Sequence, residues 1–286
     1  MKKFLLESLL SILLFLGTLI CFAGIDWLGL FLPHLHFLET EMGRTYTEFY
    51  LYGRTLVTDE EIQDPLNKTL TALCEANGLD ASTYCLHIVK DEEVNAFALP
   101  GKHIIVHTGL IQAGQTVEEV AGVIAHEMGH IEKGHILRTL ISQLGSTAIL
   151  LTLGDNPATE TIGSMISTLS TNAYSREMER EADLAAVHFM TQAGLDAKHL
   201  ANFMERMNES EWQQWYPEWA STHPDSDKRA RDIRQACPKK LPREAAIEFT
   251  EDEWKAIQAH LAPPTDETSH RIEEKETVEE IVVVEE

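Results

Sequence analysis

His126-Glu127-Met128-Gly129-His130 places two imidazoles four residues apart with a carboxylate between them. On an α-helix, at about 100° per residue, positions 126 and 130 lie within roughly 40° of each other and one turn apart. Both rings can then hold one metal ion. Glu127 projects beside them, where it can take a proton from metal-bound water. Zinc lowers the pKa of that water to about 7 but cannot carry the proton away, so a neighbouring base has a use. The competing reading of these five residues is an exposed helical turn with two surface histidines.

Two histidines leave a zinc ion short of a third protein ligand. A helix expected from about Ser175 to Ala193, ending at Gly194, offers Glu177, Glu179, Glu181 and Asp183. Glu179 and Asp183 are four apart and share a face. That allows Glu179 to bind the metal while Asp183 hydrogen-bonds the outer nitrogen of a ligating histidine. Glu177 and Glu181 have the same spacing, so geometry alone does not choose, and a solvated acidic face accounts for some of the four. His135 follows His130 by five residues, off the ligand face, and reads as structural. His87, His103 and His107 alternate on strand-like runs and need no metal to explain them.

The metal helix is well marked. Thr116-Val117-Glu118-Glu119 reads as a capping box, and Val117, Val120, Ala121, Ile124 and Met128 recur at helical spacing. Before it, three strand-like runs cover Tyr84 to Val89, Val94 to Leu99 and His103 to His107, with Pro100-Gly101 as a hairpin turn between the last two. An earlier helix carries Leu66, Leu70, Leu73 and Cys74, with Asp64 as cap, Pro65 in its first turn and Gly78 at its end. Residues 145 to 175 read as a helical hairpin or lid, broken at Gly154 to Pro157. A further helix covers about Ala197 to Asn208. The expected fold class is α+β, mostly helical, with a small sheet beside the metal helix.

The chain of 286 residues has 23 Lys and Arg against 46 Asp and Glu, a formal net charge of −23. No basic patch exists to neutralise phosphates, which argues against nucleic acid as a partner. Met1-Lys2-Lys3 precedes an uncharged stretch from Ser8 to Ile25, just long enough to span a bilayer, with an apolar run from Trp27 to Leu32 behind it. Residues 1–32 are expected to be a membrane anchor, the alternative being a signal segment cut near Ala23-Gly24. The lysines keep the N-terminus cytoplasmic, so the rest of a bacterial chain lies in the periplasm. Residues 33–58 read as a connector, 59–262 as the catalytic domain and 263–286 as an acidic disordered tail. Cys74, Cys85 and Cys237 lie outside the apolar segment, and an oxidising compartment permits at most one disulfide among them.

The HExxH motif followed by Tyr-Ser-Arg-Glu-Met-Glu-Arg-Glu-Ala-Asp, residues 174–183, resembles the minigluzincin zinc peptidases. Asn95-Ala96-Phe97-Ala98-Leu99-Pro100-Gly101 is similar to the strand and turn that precede the active-site helix in that family, and Thr222-His223-Pro224 with Arg229 to its His-Pro signature. The resemblance covers about residues 60 to 235, and a single N-terminal span fits the BepA-like and Oma-like branches. It implies a zinc endopeptidase acting on protein or peptide substrates, with one zinc per chain. Glu179 becomes the third ligand, His223 an active-site residue that stabilises the oxyanion or plugs the metal's open position, and Arg229 its support. Substrate backbone would pair with Asn95, Ala96, Phe97 and Ala98 by strand addition. By the same analogy the substrates are misfolded or misassembled envelope proteins. Two rival classes are a quality-control holdase whose peptidase site is normally shut, and a non-catalytic zinc-stabilised interaction module. Glu127 speaks against the latter, since a purely structural zinc site has no use for a base. Trp212, Trp215, Tyr216 and Trp219 read as packing for the loop that carries His223.

Overall fold

The structure is a computed structural model, and it describes residues 36–142, 159–171, 174–208 and 226–261. The N-terminal apolar segment, His223, the tryptophan cluster and the acidic tail lie outside the described residues. Among those described, no helix is long and apolar enough to cross a membrane.

Three strands form one sheet in the order β1 (Cys85–Val89), β3 (His103–His107), β2 (Ala96–Leu99). β2 and β3 are an antiparallel hairpin in the register Ala96↔Val106 to Leu99↔His103, while β1 runs parallel to β3. The turn at Pro100–Lys102 works because Gly101 sits at φ 75°, backbone that glycine adopts without a Cβ penalty. Alternation along β3 divides the interior: Ile104 and Val106 join one hydrophobic cluster, Ile105 the other.

The first cluster holds α2 (Glu60–Ala76), α4 (Val117–Glu132), α6 (Arg176–Gln192), α7 (Lys198–Met207) and α9 (Glu251–Leu261) against the sheet, through Leu66, Leu73, Val120, Ile124, Phe203 and Trp254 among others. A short helix α3 (Thr108–Ala113) leads from β3 into α4, and α8 (Ser226–Ala236) lies along α7 and α6. The second cluster packs α1 (His36–Leu51), the helical residues 135–142 and α5 (Thr159–Thr171) on the opposite side. The architecture is the α+β, mostly helical one that the sequence predicts.

Two boundaries differ from the sequence expectation. The stretch 33–58 is not a plain connector: Met42, Tyr46 and Tyr50 of α1, four residues apart, are at most 5% exposed and belong to the second cluster. α2 starts at Glu60, not after Asp64, because Asp59 caps it by accepting from the Glu61 amide. Pro65 therefore sits inside the helix, where the carbonyl it cannot serve is that of exposed Glu61. Part of the predicted hairpin or lid is present as α5. Cys74, Cys85 and Cys237 are free.

Candidate metal centre

α4 is fixed at its start by Thr116, which accepts from the Glu119 amide at 3.4 Å, and by Glu119, which reaches back to the Gln115 amide at 2.7 Å. Arg206 of α7 clamps the same carboxylate with contacts of 2.8 and 2.6 Å. About two turns further on, His126, Glu127 and His130 are no more than 1% exposed. α6 begins at its cap Ser175, and its first turns bring Glu179 and Asp183 to the same place. The two helices meet closely at Gly129, where a Cβ would stand 2.8 Å from the Ala182 carbonyl oxygen.

The Nε2 atoms of His126 and His130 are 3.0 Å apart. Glu179 sets Oε2 at 3.5 Å from the first and Oε1 at 3.5 Å from the second. A tetrahedral zinc with bonds of about 2.0–2.1 Å has edges of roughly 3.3–3.4 Å, so the three side chains have the separations of a zinc ligand set. Glu127 lies beside them with Oε1 buried and without a hydrogen-bond partner. The group fits a metal: three convergent donors of the right chemistry, and a carboxylate next to them that no protein donor uses on that oxygen. Glu177 takes no part in this donor set.

The ligands are held from behind. Asp183 Oδ1 meets His126 Nδ1 at 3.0 Å. Arg229 of α8 donates to both Asp183 oxygens at 2.8 and 2.7 Å, and its Nη1 is 2.5 Å from Glu179 Oε2 as an ion pair. Burial works against the Asp183 carboxylate, but the Arg229 guanidinium overrides it and holds the pKa down to about 2. Burial lowers both metal-site imidazoles. Asp183 and Glu179 reverse that at His126, which rises to about 9, while His130 falls to about 3. Glu127 is pushed up to about 7 by burial, against the pull of His126. A carboxyl poised near neutrality is suited to taking and returning a proton.

His135 was read as structural from its spacing, yet it meets His130 Nδ1 at 3.0 Å and passes the contact on to Glu181 at 3.0 Å. α4 ends at Glu132 and Gly134 turns at φ 65°, so the chain doubles back; that glycine was the available signal. Glu181 thus reaches the candidate site through His135 and is not in the donor group of His126, His130 and Glu179. Tyr174 stacks on the His130 ring with centroids 3.8 Å apart. Asn95, Ala96, Phe97 and Ala98 do lie next to the site, and the Ala98 amide hydrogen-bonds Glu127. They are not open as strand addition requires: all four are at most 3% exposed. α5 lies against β2, and Asn95 Nδ2 donates to the Ser170 carbonyl at 3.3 Å.

The model of peptidase family M48 matches residues 59–237. The chain belongs to peptidase family M48. The family is one of metallopeptidases, and its typical metal is zinc. Its relatives include the mitochondrial metalloendopeptidase OMA1 of Schizosaccharomyces pombe, 26% identical over 200 residues, which are 68% of this chain and 58% of that protein. OMA1 of Arabidopsis thaliana is 28% identical over 181 residues, 63% of this chain and 37% of the relative. The beta-barrel assembly-enhancing protease of Yersinia pestis is 26% identical over 226 residues, 73% of this chain and 46% of the relative. The chain spans about half the length of the curated relatives it matches.

Proposed function

We propose that this M48 member is a zinc endopeptidase in which His126, His130 and Glu179 hold the metal and Glu127 is the catalytic base. The observation that carries the reading is the 3.0–3.5 Å triangle of donors with the Glu127 carboxylate alongside. Zinc held by His126, His130 and Glu179 would supply a Lewis acid for the scissile carbonyl and the attacking water. Glu127 accepts the proton of that water and delivers it to the leaving amine. Asp183 and His135 hold the two imidazoles in their ligating orientation, and Arg229 holds Asp183. His223 stabilises the oxyanion, on the resemblance alone. The substrate backbone pairs with β2 once α5 has moved aside.

The substrates are misfolded or misassembled envelope proteins, and the chain sits in the periplasm, held to the inner membrane by residues 1–32. Support comes from Lys2 and Lys3 ahead of the apolar segment and from the relatives named for β-barrel assembly. Burial of the whole site favours a second reading, a quality-control factor whose peptidase is normally shut and whose standing work is to hold client chains. Casein digestion by wild type and Glu127→Gln, with zinc counted in both, tests the first reading. Equal digestion by the two proteins would sink it. Binding of unfolded client without cleavage by wild type would favour the second. A periplasm-dependent reporter fused after residue 33 tests the location.

A further inference from the structure

A second group of metal-binding side chains stands at the far end of β3. Asp91, Glu93 and His107 offer ligand atoms that all lie within 4.8 Å of one another. Acidic side chains gather on surfaces without binding anything, so the two carboxylates carry no weight alone. His107 does. It is 3% exposed, and its Nδ1 is buried with no hydrogen-bond partner. Leaving such a nitrogen unmet costs about 1–3 kcal/mol, and native structures seldom do so without a reason.

Nδ1 faces Glu93, whose carboxylate Oε2 is 3.9 Å away and whose backbone carbonyl also acts on the ring. That is too long for a hydrogen bond, and an ion joining the two would draw the side chains closer. On the other edge of the ring, Nε2 meets the Tyr50 hydroxyl at 2.7 Å. Metal-binding histidines are held in this way, the far N–H fixed by a second group and the near nitrogen presented as a lone pair.

The loop carrying the carboxylates is also fixed. The Asp91 carbonyl accepts from Thr108 Oγ1 and from the Gly109 amide, both at 2.8 Å, and Asp91 Oδ1 accepts from the Glu93 amide at 3.0 Å. Glu93 Oε1 accepts from Asn95 Nδ2 at 2.8 Å, which turns Oε2 toward His107.

We propose that Asp91, Glu93 and His107 form a second metal site, for a divalent transition-metal cation such as Zn2+ or Mn2+. One imidazole and two carboxylates suit these borderline ions, whereas Ca2+ and Mg2+ favour all-oxygen shells. The half-buried carboxylates leave room for water to complete the coordination. The site is distinct from the His126–His130 pocket and shares no residue with it. Through Asn95, which also donates to Ser170 of α5, an ion here would tie the start of β2 to the helix that covers it.

The test is equilibrium dialysis of the full-length chain against buffered free Zn2+, with bound metal counted by atomic spectrometry. Wild type should hold two equivalents and Asp91→Asn/Glu93→Gln one. Both substituted side chains are partly exposed, and circular dichroism checks that the fold is kept. Glu179→Gln should also hold one equivalent, and in that background Mn2+ should give a bound-ion resonance spectrum that Asp91→Asn/Glu93→Gln abolishes. Should the double variant misfold, Asp91→Asn alone should raise the half-saturating Zn2+ for the second equivalent at least tenfold. A single equivalent in wild type, or two retained in a folded double variant, overturns the site. Loss of metal in Glu179→Gln alone bears only on the peptidase centre, so failure of one assignment is separable from failure of the other.

Discussion

Gly129→Ala sets two effects of known size against each other. A Cβ at this position would stand 2.8 Å from the Ala182 carbonyl oxygen, 3.0 Å from the Ala182 Cα and 3.2 Å from the Ala185 Cβ. The first two are backbone atoms, which no rotamer change can move. Reaching ordinary contact, near 3.5 Å, requires α4 and α6 to part by about 0.7 Å. Replacing glycine by alanine in a helix interior gains about 1 kcal/mol, while overpacking of this kind costs about 1–3 kcal/mol. The contact wins, for a net loss of roughly 1 kcal/mol in urea denaturation of the chelator-treated chain. The same parting separates His126 and His130 from Glu179, because the ligands sit on the two helices that move. Metal sites tolerate about 0.2 Å, so zinc affinity should fall at least tenfold, read by competition with a chromophoric chelator. A variant more stable than wild type with unchanged zinc affinity would refute the reasoning, since helix propensity would then have outweighed a clash that does not exist.

Arg229→Met leaves Asp183 and Glu179 buried without their cation and should cost about 3–5 kcal/mol in the chelator-treated protein, with a smaller loss when zinc is present to hold Glu179; equal losses in denaturant titrations of the two forms would count against that arrangement. His135→Ala should weaken zinc binding about 10–100-fold and Glu181→Gln by less, whereas Glu179→Gln should lose the metal outright; dialysis against a zinc buffer orders the three. Glu127→Gln should keep zinc and fold while proteolysis of casein drops by about 10²–10⁴-fold, because only proton transfer is removed. A chain beginning at residue 33 should fold and bind zinc without detergent, but one beginning at residue 59 should not: Met42, Tyr46 and Tyr50 are worth about 1.5–3 kcal/mol each, together comparable to the stability of a domain. Circular dichroism and a zinc count on both chains decide this.

The grouping of His126, His130 and Glu179 was legible in the sequence because helical periodicity turns spacing into geometry. Four residues put His126 and His130 on one face, and the same rule paired Glu179 with Asp183. Spacing could not rank Glu179 above Glu177 or Glu181, because all three sit on one helix and only its packing on α4 selects one. The strands and the Pro100-Gly101 turn were readable from alternation and turn chemistry. His135 was not, since its contact depends on a chain reversal at Gly134 that no periodic rule describes. α1 was not legible because its buried apolar side chains are only Met42, Tyr46 and Tyr50, among polar neighbours. The closure of β2 by α5 was equally invisible: a sequence shows that a strand exists, not what lies against it.

That closure turns access into an exchange. Ile162, Met165, Ile166 and Leu169 of α5 are at most 6% exposed, in one cluster with Phe97 and Leu99 of β2. At about 1.5–3 kcal/mol each, lifting them into water would cost roughly 6–12 kcal/mol, as much as unfolding a typical domain. Thermal opening of that size is too rare to support turnover. Under the proposed strand pairing, an incoming chain would have to seat its own apolar side chains where those of the helix lie. α5 would then act as a resident competitor, and the apparent affinity of any such chain would be discounted by the helix's own hold. Segments without apolar residues would be screened out before the chemistry begins.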